Sequence, residues 1–165
     1  MRYLEDIAVG ERIELGRHTF GAEEIKAFAL RYDPQPFHVD EAAARRSPYG
    51  RLIASGWHTG AIFMRLNIEH RQREAQAMQA RGEPVAALGP SPGLRELKWL
   101  KPVYVGDTIN YAAEVIETRR SKSRPGWGLV TSRASGSNQD GEPVLSLVGT
   151  LFVQCRPIES TLRSR

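Results

Sequence analysis

The chain has 165 residues, 41% of them hydrophobic and 25% charged, with 23 basic and 19 acidic side chains and a formal charge of +4. That is one domain's worth, large enough to bury about 70% of the surface its unfolded chain exposes without a metal or disulfide to hold it. The single cysteine, Cys155, excludes an intrachain disulfide and a multi-cysteine zinc site, and no apolar run approaches the roughly 18 residues of a membrane span.

Arg12 to Phe20 alternates weakly through Ile13, Leu15, His18 and Phe20 and reads as a short strand. Gly21 then caps a helix whose first turn carries Glu23 and Glu24, where the helix dipole favours acids, and whose buried face is Ile25, Phe28 and Ala29. Pro34 disfavours helical geometry at Asp33, so this helix is expected to end near Tyr32. Asp33 to His38 holds two prolines in six residues, which predicts a stiff, non-helical loop. Asp40 caps a short helix over Glu41 to Ala44, and Ser47 to Gly50 makes a turn.

From Gly56 to Leu66 the sequence is apolar nearly all round, which predicts a central, buried helix. Glu69 to Arg81 is highly charged and reads as its exposed extension, and Gly82 to Gly93 as a connection. Four strands are expected after it: Leu94 to Leu100, Thr108 to Glu117, Gly128 to Ser137 and Val144 to Cys155. Lys101 to Asp107 reads as a tight link between the first two, and the Asp140-Gly141 pair marks a hairpin turn between the last two. No helix separates these strands, so chain neighbours are expected to pair antiparallel. The class is α+β: one domain over residues 1–155, with a buried helix wrapped by a later sheet. Residues 156–165 offer little to bury and are expected to form a loose tail. With one cysteine, and with Glu5 and Asp6 breaking any secretory signal, the expected compartment is the cytoplasm.

Two features carry chemistry. Asp33 and His38 sit five residues apart on a loop stiffened by Pro34 and Pro36, a carboxylate and an imidazole suited to moving protons near neutral pH. Ser55 and Gly56 precede the buried helix, where the first backbone N–H groups lack internal partners and favour developing negative charge. Taken alone, each feature also has an ordinary structural explanation: a turn for the first, close packing at the helix start for the second.

Three blocks in order closely resemble the MaoC-like dehydratases, which include the (R)-specific enoyl-CoA hydratases. They are Asp33-Pro34-Gln35-Pro36-Phe37-His38-Val39-Asp40, then Leu52 to Thr59, then Lys101 to Thr108, and the likeness runs from about Leu4 to Phe152. The resemblance implies a hot-dog fold, an antiparallel sheet wrapped around a long central helix, and a homodimer or higher oligomer that builds its site across an interface. It also implies reversible hydration of a trans-2-enoyl-CoA to a (3R)-hydroxyacyl-CoA. Asp33 and His38 would activate the water, and the Gly56 N–H would meet the thioester oxygen. Two departures stand out: Gln35 fills a slot that is often asparagine, and Ala61 one that carries an assisting serine in some hydratases. The stretch from Glu69 to Pro92 is an insertion, so the pocket shape is not carried over.

Among further candidates, Ser55, Trp57 and His58 could line the thioester pocket, or Trp57 and His58 could serve the core. Arg119, Arg120, Lys122 and Arg124 either grip coenzyme A phosphates or decorate a solvated hairpin tip. Nucleic acid is disfavoured as a partner, since only Trp127 stands beside these cations. No metal or redox cofactor is expected, because the chemistry needs only proton transfer and enolate stabilisation. Two rivals are a hot-dog acyl-CoA thioesterase and a non-catalytic acyl-CoA-binding subunit. Against the first, no Asp or Glu lies between Gly56 and Leu66; against the second stands the intact Asp33 and His38 pair.

Overall fold

A 25-residue helix, α4 (Gly56–Ala80), lies against a five-stranded antiparallel sheet in a computed structural model that describes residues 1–157. At about 1.5 Å per residue the helix is roughly 37 Å long. Ile62, Phe63 and Leu66 on one of its faces join Leu15, Ile109, Tyr111, Ala134, Leu145 and Leu147 from four strands in the main core. Tyr111 pins the two layers, its buried hydroxyl donating to the Thr59 carbonyl at 3.1 Å. The expectation that this helix is buried on every side is wrong. Trp57, Met64 and Ile68 are exposed, because the sheet covers only part of the helix's circumference.

Strand β1 (Arg12–Thr19) leads into α1 (Ala22–Tyr32), which starts at Gly21 as expected, with the Glu24 carboxylate accepting from the Gly21 N–H at 2.9 Å. Asp33 ends α1, its N–H donating to the Ala29 carbonyl. The next segment is not the wholly non-helical loop expected. Pro36–Val39 forms one turn of helix, α2, with Pro36 in its first position. Proline's fixed φ and missing donor suit that position, so the second proline starts a helix where the first ends one. Asp40 then caps α3 (Glu41–Arg46), accepting from the Ala43 N–H at 2.6 Å.

The sheet holds β2 (Gly93–Trp99), β3 (Thr108–Arg120), β4 (Trp127–Ser137) and β5 (Pro143–Gln154) in the spatial order β1-β3-β4-β5-β2. The hairpins β3–β4 and β4–β5 form as expected, but β2 and β3 are not neighbours. Strand β2 pairs with β5, Trp99 opposite Leu145, and leaves one edge of the sheet open. The link from Lys101 to Asp107 is therefore a crossover, not a tight turn. It is held by Ala54 N–H to Val103 carbonyl at 2.8 Å and Val105 N–H to Leu52 carbonyl at 3.0 Å, just ahead of α4. Arg156, the first residue of the expected tail, bonds Glu5 and Asp6; residues 158–165 lie outside those described. No helix among the described residues is long and apolar enough to cross a membrane.

Candidate active site

The end of α1, the turn α2, the start of α4 and the crossover meet around a cavity of about 470 Å³. Asp33, His38, Gly56, Trp57, Trp99 and Lys101 are among its lining residues. His38 is buried and its Nδ1 lies 2.8 Å from the Ile53 carbonyl. A carbonyl only accepts, so Nδ1 carries a proton and Nε2 is the nitrogen that can gain or lose one. Nε2 stands 3.4 Å from Asp33 Oδ2. The two groups therefore face one another with the basic nitrogen turned toward the carboxylate.

Asp33 is held on both oxygens. Ser55 Oγ donates to Oδ2 at 2.6 Å, and Gln35 Nε2 donates to Oδ1 at 2.9 Å. Burial pushes the Asp33 carboxyl up, but these two bonds, with the His38 charge, outweigh it and hold it below the ordinary carboxylate value. Gln35, the departure from the family pattern, thus keeps an amide on the aspartate. Ser55 is fully buried and also caps α4, accepting from the Trp57 N–H at 3.2 Å. That corrects its assignment to substrate binding: a serine with no exposed surface positions Asp33 and starts the helix.

Gly56 is the first residue of α4, and its N–H has no protein acceptor among the described residues. With Trp57 N–H taken by Ser55, Gly56 offers the free donor at the positive end of the helix dipole. A Cβ on Gly56 would stand 2.5 Å from the Trp99 indole, so glycine here allows that ring to close over the cavity. Trp99 packs edge-on against Trp57 at 5.0 Å between ring centres.

The cavity does not gather two other sets of residues considered for substrate binding. His58 does not line the cavity; it points the other way, stacked on Phe28 at 4.5 Å and edge-on to Phe20 at 5.1 Å. Its Nδ1 is buried with no hydrogen-bond partner among the described residues, and burial lowers its pKa. The reason is helical spacing: two residues past Gly56 is about 200° around α4, on the core side. The basic cluster lies at the far end of β3, roughly 36 Å of strand from Thr108. There Arg120 pairs with Glu5 at 2.6 Å, Arg119 with Glu117 at 3.4 Å, and Arg124 sits over the Phe152 ring. None of these, nor Lys122, borders the cavity that holds Asp33 and His38.

Sequence reasoning missed Trp99, Lys101 and the Ile53 carbonyl. Trp99 left one signal, a large aromatic at the end of a strand next to a proline-containing link. The Ile53 carbonyl left none, since only the fold brings it to His38.

Comparison with known proteins fits this geometry. Residues 8–135 match the family described as MaoC like domain. A solved MaoC-like dehydratase from Rhodospirillum rubrum is 42% identical, with a TM-score of 0.77 over 96% of this chain and 100% of that one. The (R)-specific enoyl-CoA hydratase of Aeromonas caviae is 31% identical over 119 residues, 72% of this chain and 78% of that protein. The 3-hydroxybutyryl-CoA dehydratase of Methylorubrum extorquens is 26% identical over 153 residues, 88% of this chain and 83% of that protein.

Proposed function

The chain belongs to the MaoC-like domain family and has its hot-dog fold, and on that premise we propose that it reversibly hydrates a trans-2-enoyl-CoA to the (3R)-hydroxyacyl-CoA. The observation that carries this reading is the Asp33 Oδ2 to His38 Nε2 approach of 3.4 Å in a cavity shared with Gly56. A water bonded to both atoms from the cavity side gives a proton to Nε2 as its oxygen bonds to C3. The C2=C3 electron pair moves toward C1, and the carbonyl pair moves onto the thioester oxygen, where the Gly56 N–H meets it. The imidazolium, steadied by the Asp33 carboxylate, returns the proton to C2 as the enolate collapses. Hydroxyl ends on C3 and hydrogen on C2, and both side chains end as they began. The (3R) outcome follows the specificity in the name of the A. caviae relative.

The chain acts as a homodimer in this reading. Trp57, Met64 and Ile68 on α4, with Leu94, Trp99 and Leu100 at the open β2 edge, are exposed apolar groups too large and too close together to leave in water. The activity test is a panel of short, long and branched enoyl-CoAs, followed by loss of enoyl absorbance and chiral analysis of the product. Turnover to the (3R) alcohol supports the proposal. Release of free thiol from acyl-CoAs without hydration makes the protein a thioesterase, and binding without either reaction makes it an acyl-CoA-binding subunit.

A further inference from the structure

A second cavity, of about 270 Å³, lies between α4 and the sheet. Its walls are apolar over most of their extent, with Phe63, Met64 and Ile68 from α4, Leu94 from β2, and Leu147 and Leu151 from β5. One end differs: Arg2, Arg71 and Glu74 line it. Glu74 is engaged by Arg2 at 3.3 Å, and Arg2 also pairs with Glu11. Arg71 has no carboxylate partner among the described residues. Burial lowers its pKa, and the Glu74 charge opposes this only in part. A guanidinium keeps its proton throughout the working pH range, so this apolar cavity ends on an unmatched cation.

The two cavities border one face of α4. Trp57, Ala61, Met64 and Ile68 recur at helical spacing and are all exposed, forming an apolar stripe from the catalytic cavity to the second one. Strand β2 runs beside both, with Trp99 at the first cavity and Leu94 at the second. From Gly56 to Arg71 is about 22 Å along the helix, and helical side chains lean back toward the N-terminus, which shortens the gap.

We propose that the acyl chain of the substrate carries a carboxylate at its far end and that Arg71 receives it. The inference rests on the hydration reading above. With its thioester at Gly56, an aliphatic chain follows the stripe, beneath the second copy that covers it, into the second cavity. A methyl terminus there would desolvate Arg71 further and give it no partner. A carboxylate supplies the planar acceptor that the guanidinium fork fits. The substrate class is therefore the thioester of a long dicarboxylic acid.

Calorimetry with saturated, unreactive acyl-CoAs of eight to sixteen carbons, each ending in methyl or in carboxyl, tests this. At one chain length the wild-type protein should bind the carboxyl-ended thioester at least about tenfold more tightly, the scale of one good charge-assisted contact. Arg71→Met should abolish that preference, and Arg71→Lys should keep part of it. Equal affinity for the two termini at every length, or a preference that survives Arg71→Met, overturns the inference, as does no binding of either thioester. Wild-type turnover of the panel of short, long and branched enoyl-CoAs, measured alongside, separates the two ideas: hydration without a terminal preference sinks only the Arg71 assignment. A terminal preference without hydration sinks only the catalytic reading.

Discussion

Ser55 shows how one small side chain shapes both halves of the candidate site, since its hydroxyl bonds Asp33 and caps the helix that starts at Gly56. Ser55→Ala removes a bond that keeps the Asp33 carboxyl low, while the burial that pushes it up remains. The acid limb of the kcat/KM profile should therefore move to higher pH, and a limb that stays in place would show that Asp33 does not govern it. His58 makes a second prediction. Its folded-state pKa is lowered by burial, so the unfolded chain takes up the proton more readily. The His58 contribution is fully present above the unfolded value near 6.5 and is lost as pH falls through that value toward the lower folded one. His58→Leu removes the orphaned Nδ1 and should flatten this acid slope in denaturant titrations; an unchanged slope would assign it to other groups. Asp33 and His38 were legible because proline spacing and residue chemistry are local properties. That His58 faces the core and that Ser55 serves Asp33 are facts of the fold, since each partner lies on another element.

The elements were legible wherever period and punctuation agreed. Strand β1, helices α1, α3 and α4, and the β3–β4 and β4–β5 hairpins all stand near where apolar spacing, caps and the Asp140-Gly141 turn put them. The partner of β2 was not, because local sequence says what a segment is and not which strand it lies beside. A seven-residue link suits a hairpin as well as a crossover; the pairing of β2 with β5 decides for the crossover, which the bonds of Val103 and Val105 to Ala54 and Leu52 then hold. This choice places Trp99 over Gly56, which gives an element-level prediction. Gly56→Ala must push the indole aside, since a Cβ there would lie 2.5 Å from it. Intrinsic tryptophan fluorescence should shift, and kcat should fall about tenfold to a hundredfold as the helix start loses its alignment with substrate. An unchanged spectrum and rate would show that Trp99 does not close the cavity.

At the scale of the molecule, the resemblance covered nearly the whole chain, so the helix-and-sheet architecture was legible; the exposed strip was not. Strong apolarity around α4 reads as burial, yet Trp57, Met64 and Ile68 keep exposed surface. A second copy covering that strip accounts for both facts. Light scattering should give a mass near twice the 18.4 kDa of one chain. Met64→Glu with Leu94→Glu should shift the protein toward monomer, since a carboxylate is costly to bury without a partner; a wild-type monomer at micromolar concentration would remove the dimer from the account. The most direct test of the whole is hydration of the best enoyl-CoA of the panel by wild type, Asp33→Asn, His38→Ala and the double variant. Each single change should lower kcat by at least about 10²-fold, the low end for a general acid–base group. The double variant should fall little further, because both groups act on one water. His38→Ala retaining most of the activity, or the two losses simply multiplying, would contradict the mechanism.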